Sequence, residues 1–83
     1  MNKSALITVG STKFNELIDR SFDIAEILSY KGYNEIFIQH GESQLPSKDK
    51  PKGIDIKTFD YVKNMSIYIS NVDLIISHGG RLV

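Results

Sequence analysis

The sequence contains no cysteine, which excludes disulfide staples, thiolate metal centres and cysteine nucleophiles and agrees with a cytosolic chain. It has no surplus of either charge. Ten Lys and Arg stand against ten Asp and Glu, and the pI is near 6.7. With no basic excess to neutralise a phosphate backbone, nucleic acid is not expected as a partner. Long hydrophobic runs are missing too. The first apolar stretch, Ala5 to Val9, is broken by Thr8, so it is too short for a signal-peptide core, and no direct membrane span is expected. Internal repeats and low-complexity segments are also absent. What remains is 83 residues at 41% hydrophobic content, enough for one small folded domain over 1–83. A domain of this length buries only about 60 to 65% of the surface its unfolded chain exposes.

Ser4 to Val9 is a brief apolar run ended by Gly10, and it reads as a first strand. Phe14, Leu17, Ile18, Phe22, Ala25 and Leu28 then recur at spacings of three and four, with Ile24 and Ile27 widening the stripe. This predicts one amphipathic helix, capped by Ser11 or Thr12 and closed at Lys31-Gly32. Glu35 to Gln39 reads as a second strand stopped at His40-Gly41, and the polar stretch from Gly41 to Gly53, with Pro46 and Pro51, reads as a loop. Ile54 to Phe59 alternates apolar and polar, predicting a third strand at a sheet edge. Tyr61 to Ser70 predicts a short second helix with Val62, Met65 and Ile69 on one stripe. Val72 to Ser77 carries Leu74, Ile75 and Ile76 in succession, as expected for a parallel strand buried on both faces.

Strands alternating with helices predict an α/β fold, a Rossmann-like parallel sheet of about four strands. With right-handed crossovers and the order 3-2-1-4, strands 1 and 4 are neighbours where the winding reverses, and ligands bind outside the carboxyl ends of strands at such a point. Those ends are Gly10-Ser11-Thr12 and Ser77-His78-Gly79-Gly80. The first offers backbone N–H groups, two hydroxyls and a helix start, which suit phosphate. The plain alternative is a tight turn with a helix cap. The second pairs an imidazole with two glycines that let backbone approach a ligand closely, against the alternative of a surface turn. His40 reads as a solvated strand end, and Lys48, Lys50 and Lys52 as a solvated loop. Tyr30, Tyr33 and Tyr61 are too scattered for a stacking platform. No nucleophile triad, metal cluster or carboxylate pair is apparent, so neither a metal nor a catalytic residue is assigned.

Three segments resemble one family: Ile7-Thr8-Val9-Gly10-Ser11-Thr12-Lys13-Phe14 with Leu17-Ile18, then Ile36-Phe37-Ile38-Gln39-His40-Gly41, then Phe59-Asp60-Tyr61 onward to Asp73-Leu74-Ile75-Ile76-Ser77-His78-Gly79-Gly80. They resemble the catalytic, donor-binding subunit of the UDP-N-acetylglucosamine transferase of the dolichol-linked oligosaccharide pathway, across almost the whole chain. The resemblance implies the N-terminal part of a GT-B donor-binding domain. It would make Gly10, Ser11 and Thr12 contacts to the donor diphosphate and Ser77, His78, Gly79 and Gly80 a second donor loop. UDP-N-acetylglucosamine would be the donor substrate, with no further cofactor.

It also implies a membrane-anchored partner subunit that binds the acceptor and recruits a cytosolic chain to the cytosolic face of the endoplasmic reticulum. Together they would add the second N-acetylglucosamine to dolichol diphosphate N-acetylglucosamine. The family continues with further glycines and a helix bearing an acidic residue, whereas Gly80 here is followed by Arg81-Leu82-Val83. The expectation is therefore a truncated, partial donor-binding domain that is inactive by itself. The rival expectations are a non-catalytic interaction module that keeps only partner binding, and an unrelated small nucleotide-binding domain.

Overall fold

In the computed structural model, residues 3–9, 15–47, 49–61 and 63–77 are described. The elements are β1 (Ser4–Thr8), α1 (Asn15–Asp19), α2 (Ser21–Tyr30), β2 (Glu35–Gln39), β3 (Asp55–Phe59), α3 (Met65–Asn71) and β4 (Leu74–Ser77). The strands form one four-stranded sheet in the order β3-β2-β1-β4, and every pairing is parallel. The expected α/β fold and strand order are both present. Among the described residues no helix is long and apolar enough to cross a membrane.

Register sorts the side chains into two faces, because alternate residues of a strand point to opposite sides. Ala5 lies beside Ile36 and Leu74, and Ile7 beside Ile38 and Ile76. This face packs on Ile18, Phe22, Ala25 and Leu28 of α1 and α2 to make the main core. On the opposite face Leu6, fully buried, lies beside Phe37 and Ile75. Helix α3 covers this side through Tyr68, whose ring meets Phe37 edge-on at 5.2 Å and Phe59 at 4.9 Å. Helices on both faces are what parallel strands require, since each strand has two apolar sides to cover.

The predicted first helix is divided at Arg20, whose N–H is shared between the carbonyls of Glu16 and Leu17 at 3.3 and 3.2 Å. The buried Ser21 hydroxyl donates to the Ile18 carbonyl at 2.6 Å, the kind of back-bonding that bends helices. Ile27, expected to widen the buried stripe, is 54% exposed. The end at Lys31-Gly32 is as expected and takes the Schellman form. Gly32 N–H donates to Ser29 O and Tyr33 N–H to Leu28 O, with Gly32 at φ +95°.

Strand β3 is at an edge, as its alternation predicts. Strand β4, expected to be buried on both faces, is the other edge, and Ile75 is 36% exposed. Its apolar run reflects the demand of two sheet faces, and the run cannot report how completely those faces are covered. Helix α3 begins four residues later than predicted. Asn64 caps it by accepting from Ser66 N–H at 3.2 Å, and Tyr68 is the residue it sends to the sheet, while Ile69 is 46% exposed.

Candidate functional site

The sequence places its candidate residues where β1 and β4 end, and the register brings those ends together. Thr8 lies directly beside Ser77. Neighbouring strands are about 4.8 Å apart, so the chain leaves the sheet toward Gly10 and toward His78 from adjacent points. Gly10, Ser11, Thr12, His78, Gly79 and Gly80 lie outside the described residues, as does the expected helix cap at Ser11 or Thr12. Of the candidate site residues, Ser77 is described, and it is half-buried at the carboxyl end of β4. Here the winding reverses, with β2 and β3 on one side of β1 and β4 on the other.

Gln39 holds this edge from below, at 2% exposure. Its amide oxygen accepts from the Thr8 hydroxyl and from Val9 N–H at 3.1 Å, and its amide nitrogen donates to the Asp60 carbonyl at 2.6 Å. The orientation of the amide follows from its partners, because an N–H needs the oxygen and a carbonyl needs the nitrogen. Three strands are thereby registered at their carboxyl ends. Sequence reasoning did not single out Gln39, although a glutamine closing the otherwise apolar run Ile36-Phe37-Ile38 is an available signal.

The β2 exit is rigid for related reasons. His40 N–H donates to Phe59 O at 3.0 Å and Gly41 N–H to Asp60 O at 3.2 Å, so the β2/β3 ladder continues past both strands. Gly41 then turns the chain at φ +56°. The His40 ring nitrogen Nδ1 lies 3.0 Å from Ser43 O, which accounts for His40 as a turn residue and moves it away from the role of ligand. Lys50 reaches the Ile56 carbonyl at 3.3 Å and Lys52 is exposed, in keeping with a solvated loop. Lys48 lies outside the described residues.

Beside this edge an open cavity of about 480 Å³ is lined by Asn15, Asp19, Glu42, Gln44, Leu45 and Ser47. Among its described lining residues the two carboxylates, Asp19 and Glu42, disfavour an anion such as a diphosphate beside them. Tyr61 bounds the same region, its hydroxyl 3.5 Å from a Glu42 carboxylate oxygen. Its phenol is raised above the usual 10.0, first by partial desolvation and then by the Glu42 charge and hydrogen bond. Among the described residues no group of three or more His, Asp or Glu comes together to hold a metal ion.

An all-parallel sheet with helices on both faces and a switch point at the carboxyl ends of β1 and β4 defines the Rossmann-like class. Within that class the comparison is specific: the profile of the glycosyltransferase family 28 C-terminal domain matches residues 4–82, and the chain belongs to that family. The chain is 32% identical over 81 residues to the mouse UDP-N-acetylglucosamine transferase subunit ALG13, a match covering 94% of this chain. It spans about 7% of that relative's length. No solved structure matches.

Proposed function

We propose that this chain supplies donor-binding elements of a UDP-N-acetylglucosamine transferase. Gly10, Ser11 and Thr12 hold the donor diphosphate, and Ser77, His78, Gly79 and Gly80 form the second donor loop. The observation that carries this reading is the register of Thr8 beside Ser77, which starts both candidate loops from adjacent strand ends at the switch point of a family 28 domain. Support for the sugar nucleotide comes from the relative, a UDP-N-acetylglucosamine transferase subunit by name.

The acceptor in this proposal is dolichol diphosphate N-acetylglucosamine, which receives its second N-acetylglucosamine. A membrane-anchored partner subunit presents that acceptor at the cytosolic face of the endoplasmic reticulum. The acceptor hydroxyl attacks the anomeric carbon as the bond to the UDP oxygen breaks, its proton passing in the net reaction to solvent, and backbone N–H groups at the glycine loops stabilise the charge developing on the leaving diphosphate. No cofactor beyond the sugar nucleotide is invoked.

The test is UDP binding by calorimetry to the wild type and to Gly10→Val. A valine side chain intrudes between backbone donors and a phosphate that approaches them closely, so a loss of roughly tenfold or more in affinity is expected. Unchanged affinity in a folded variant would remove Gly10 from the site. Failure of the wild type to bind UDP would overturn the reading as a whole.

A further inference from the structure

We infer that Gln39 is the positioning residue of the donor site, the group through which the β3–α3 turn sets the aim of the segment entering Gly10. The inference rests on the donor-site reading above. A glutamine at 2% exposure costs desolvation unless its amide is fully used. Here the oxygen takes Thr8 Oγ1 and Val9 N–H while the nitrogen takes Asp60 O. Val9 is the residue immediately before Gly10, and Asp60 the one immediately before Tyr61. One rigid amide thus spans the two segments.

Satisfying backbone groups does not by itself explain this arrangement. Val9 N–H also reaches the Gln39 main-chain carbonyl at 3.1 Å, and the Asp60 carbonyl also receives Gly41 N–H at 3.2 Å. Each group keeps a backbone partner when the side chain is removed. What the side chain adds is a fixed distance between β1's exit and the β3–α3 turn. Displacements below an ångström matter where backbone N–H groups must converge on a phosphate, because hydrogen bonds weaken steeply with misalignment.

Two substitutions separate positioning from bulk packing. Gln39→Leu fills the space and removes both ends of the bridge. Gln39→Glu keeps the acceptor for Val9 and opposes the Asp60 carbonyl with a second acceptor when ionised. Burial raises the pKa of such a carboxyl, and on protonation its O–H restores the donor to Asp60.

The experiment measures UDP affinity for the wild-type chain, Gln39→Leu and Gln39→Glu by calorimetry, with amide NMR spectra of each. The expected result is about a tenfold loss in Gln39→Leu, with the Val9 and Tyr61 amide resonances shifted in the absence of ligand. Gln39→Glu should be weak at alkaline pH and approach the wild-type affinity, measured at the same pH, as the pH is lowered and the carboxyl protonates. A packing defect would lower thermal stability without that pH-dependent recovery of affinity. Should Gln39→Leu fail to fold, Thr8→Val removes one donor to the same amide oxygen at nearly constant volume and is expected to weaken UDP two- to threefold, an order-of-magnitude figure. Wild-type UDP binding that persists undiminished in the folded variants at every pH overturns the positioning role and leaves the donor site standing. Absence of UDP binding in the wild type overturns both.

Discussion

Tyr61 stands at the edge that carries the candidate site, 49% exposed and with its hydroxyl turned to Glu42. The neutral phenol is favoured there because its packed side is partly desolvated and because a phenolate would face the Glu42 carboxylate. Its folded-state pKa is therefore raised above the unfolded value of 10.0. A group that holds its proton more tightly when folded contributes stability below the unfolded pKa and loses it as pH rises through the folded one. Glu42→Gln removes the charge and leaves the desolvation. The expected outcome, read from the Tyr61 ring resonances against pH, is a pKa that falls without returning fully to 10.0. An identical titration in wild type and variant would show that Glu42 does not act on Tyr61. At this scale the sequence pointed to Gly10 to Thr12 and Ser77 to Gly80 because they follow apolar runs in chain order; of these Ser77 is described, and it lies beside Thr8. The sequence was uninformative about Gln39, Asp60 and Tyr61 as a group, because their juxtaposition arises from parallel pairing across the β2–β3 loop.

The Schellman end of α2 offers an element-scale test with a simple cause. Gly32 sits at φ +95°, and a Cβ added there meets nothing within 4 Å. Any cost of Gly32→Ala is therefore conformational, of order 1 to 2 kcal/mol for an L-residue forced into the left-handed region. Equilibrium urea unfolding should show that loss, with Gly32→Asn losing less. Equal stability of all three chains would mean that the helix end relaxes into another closure. Local chemistry of this kind is legible in sequence, and so were the strand positions, the parallel order and the α2 face carrying Phe22, Ala25 and Leu28. The break at Arg20 was not, since Leu17, Ile18 and Phe22 keep helical spacing across it, while the Ser21 hydroxyl beside it bonds back to the Ile18 carbonyl. The edge position of β4 was hidden for a different reason: Leu74, Ile75 and Ile76 record the apolar demand of the strand but not how much cover it receives.

At the scale of the whole molecule the Cα radius of gyration is 11.8 Å, the value about 2.2·N^0.38 gives for a compact domain of this length. Apolar surface nevertheless remains exposed on a chain of compact dimensions. Ile67 is 56% exposed, Ile69 46% and Ile75 36%, all on the last helix and the edge strand. Covering an isoleucine fully is worth about 1.5 to 3 kcal/mol, so even partial cover of three is large against the 5 to 15 kcal/mol, roughly, that stabilises a domain. An edge strand carrying such a side chain also presents unpaired backbone groups to another chain. The chain by itself is accordingly expected to self-associate as its concentration rises, to show poor solubility, and to give no transfer from UDP-N-acetylglucosamine when the proposed acceptor-binding partner is absent. Sedimentation velocity over a concentration series, run beside a turnover assay with and without the soluble region of that partner, tests both parts. Ile75→Lys places a charge on the edge and should shift the distribution toward monomer. A wild type that stays monomeric throughout the series would show that the last helix and strand need no further cover. Turnover by the chain alone would show that acceptor binding and the chemistry need no partner beyond these 83 residues.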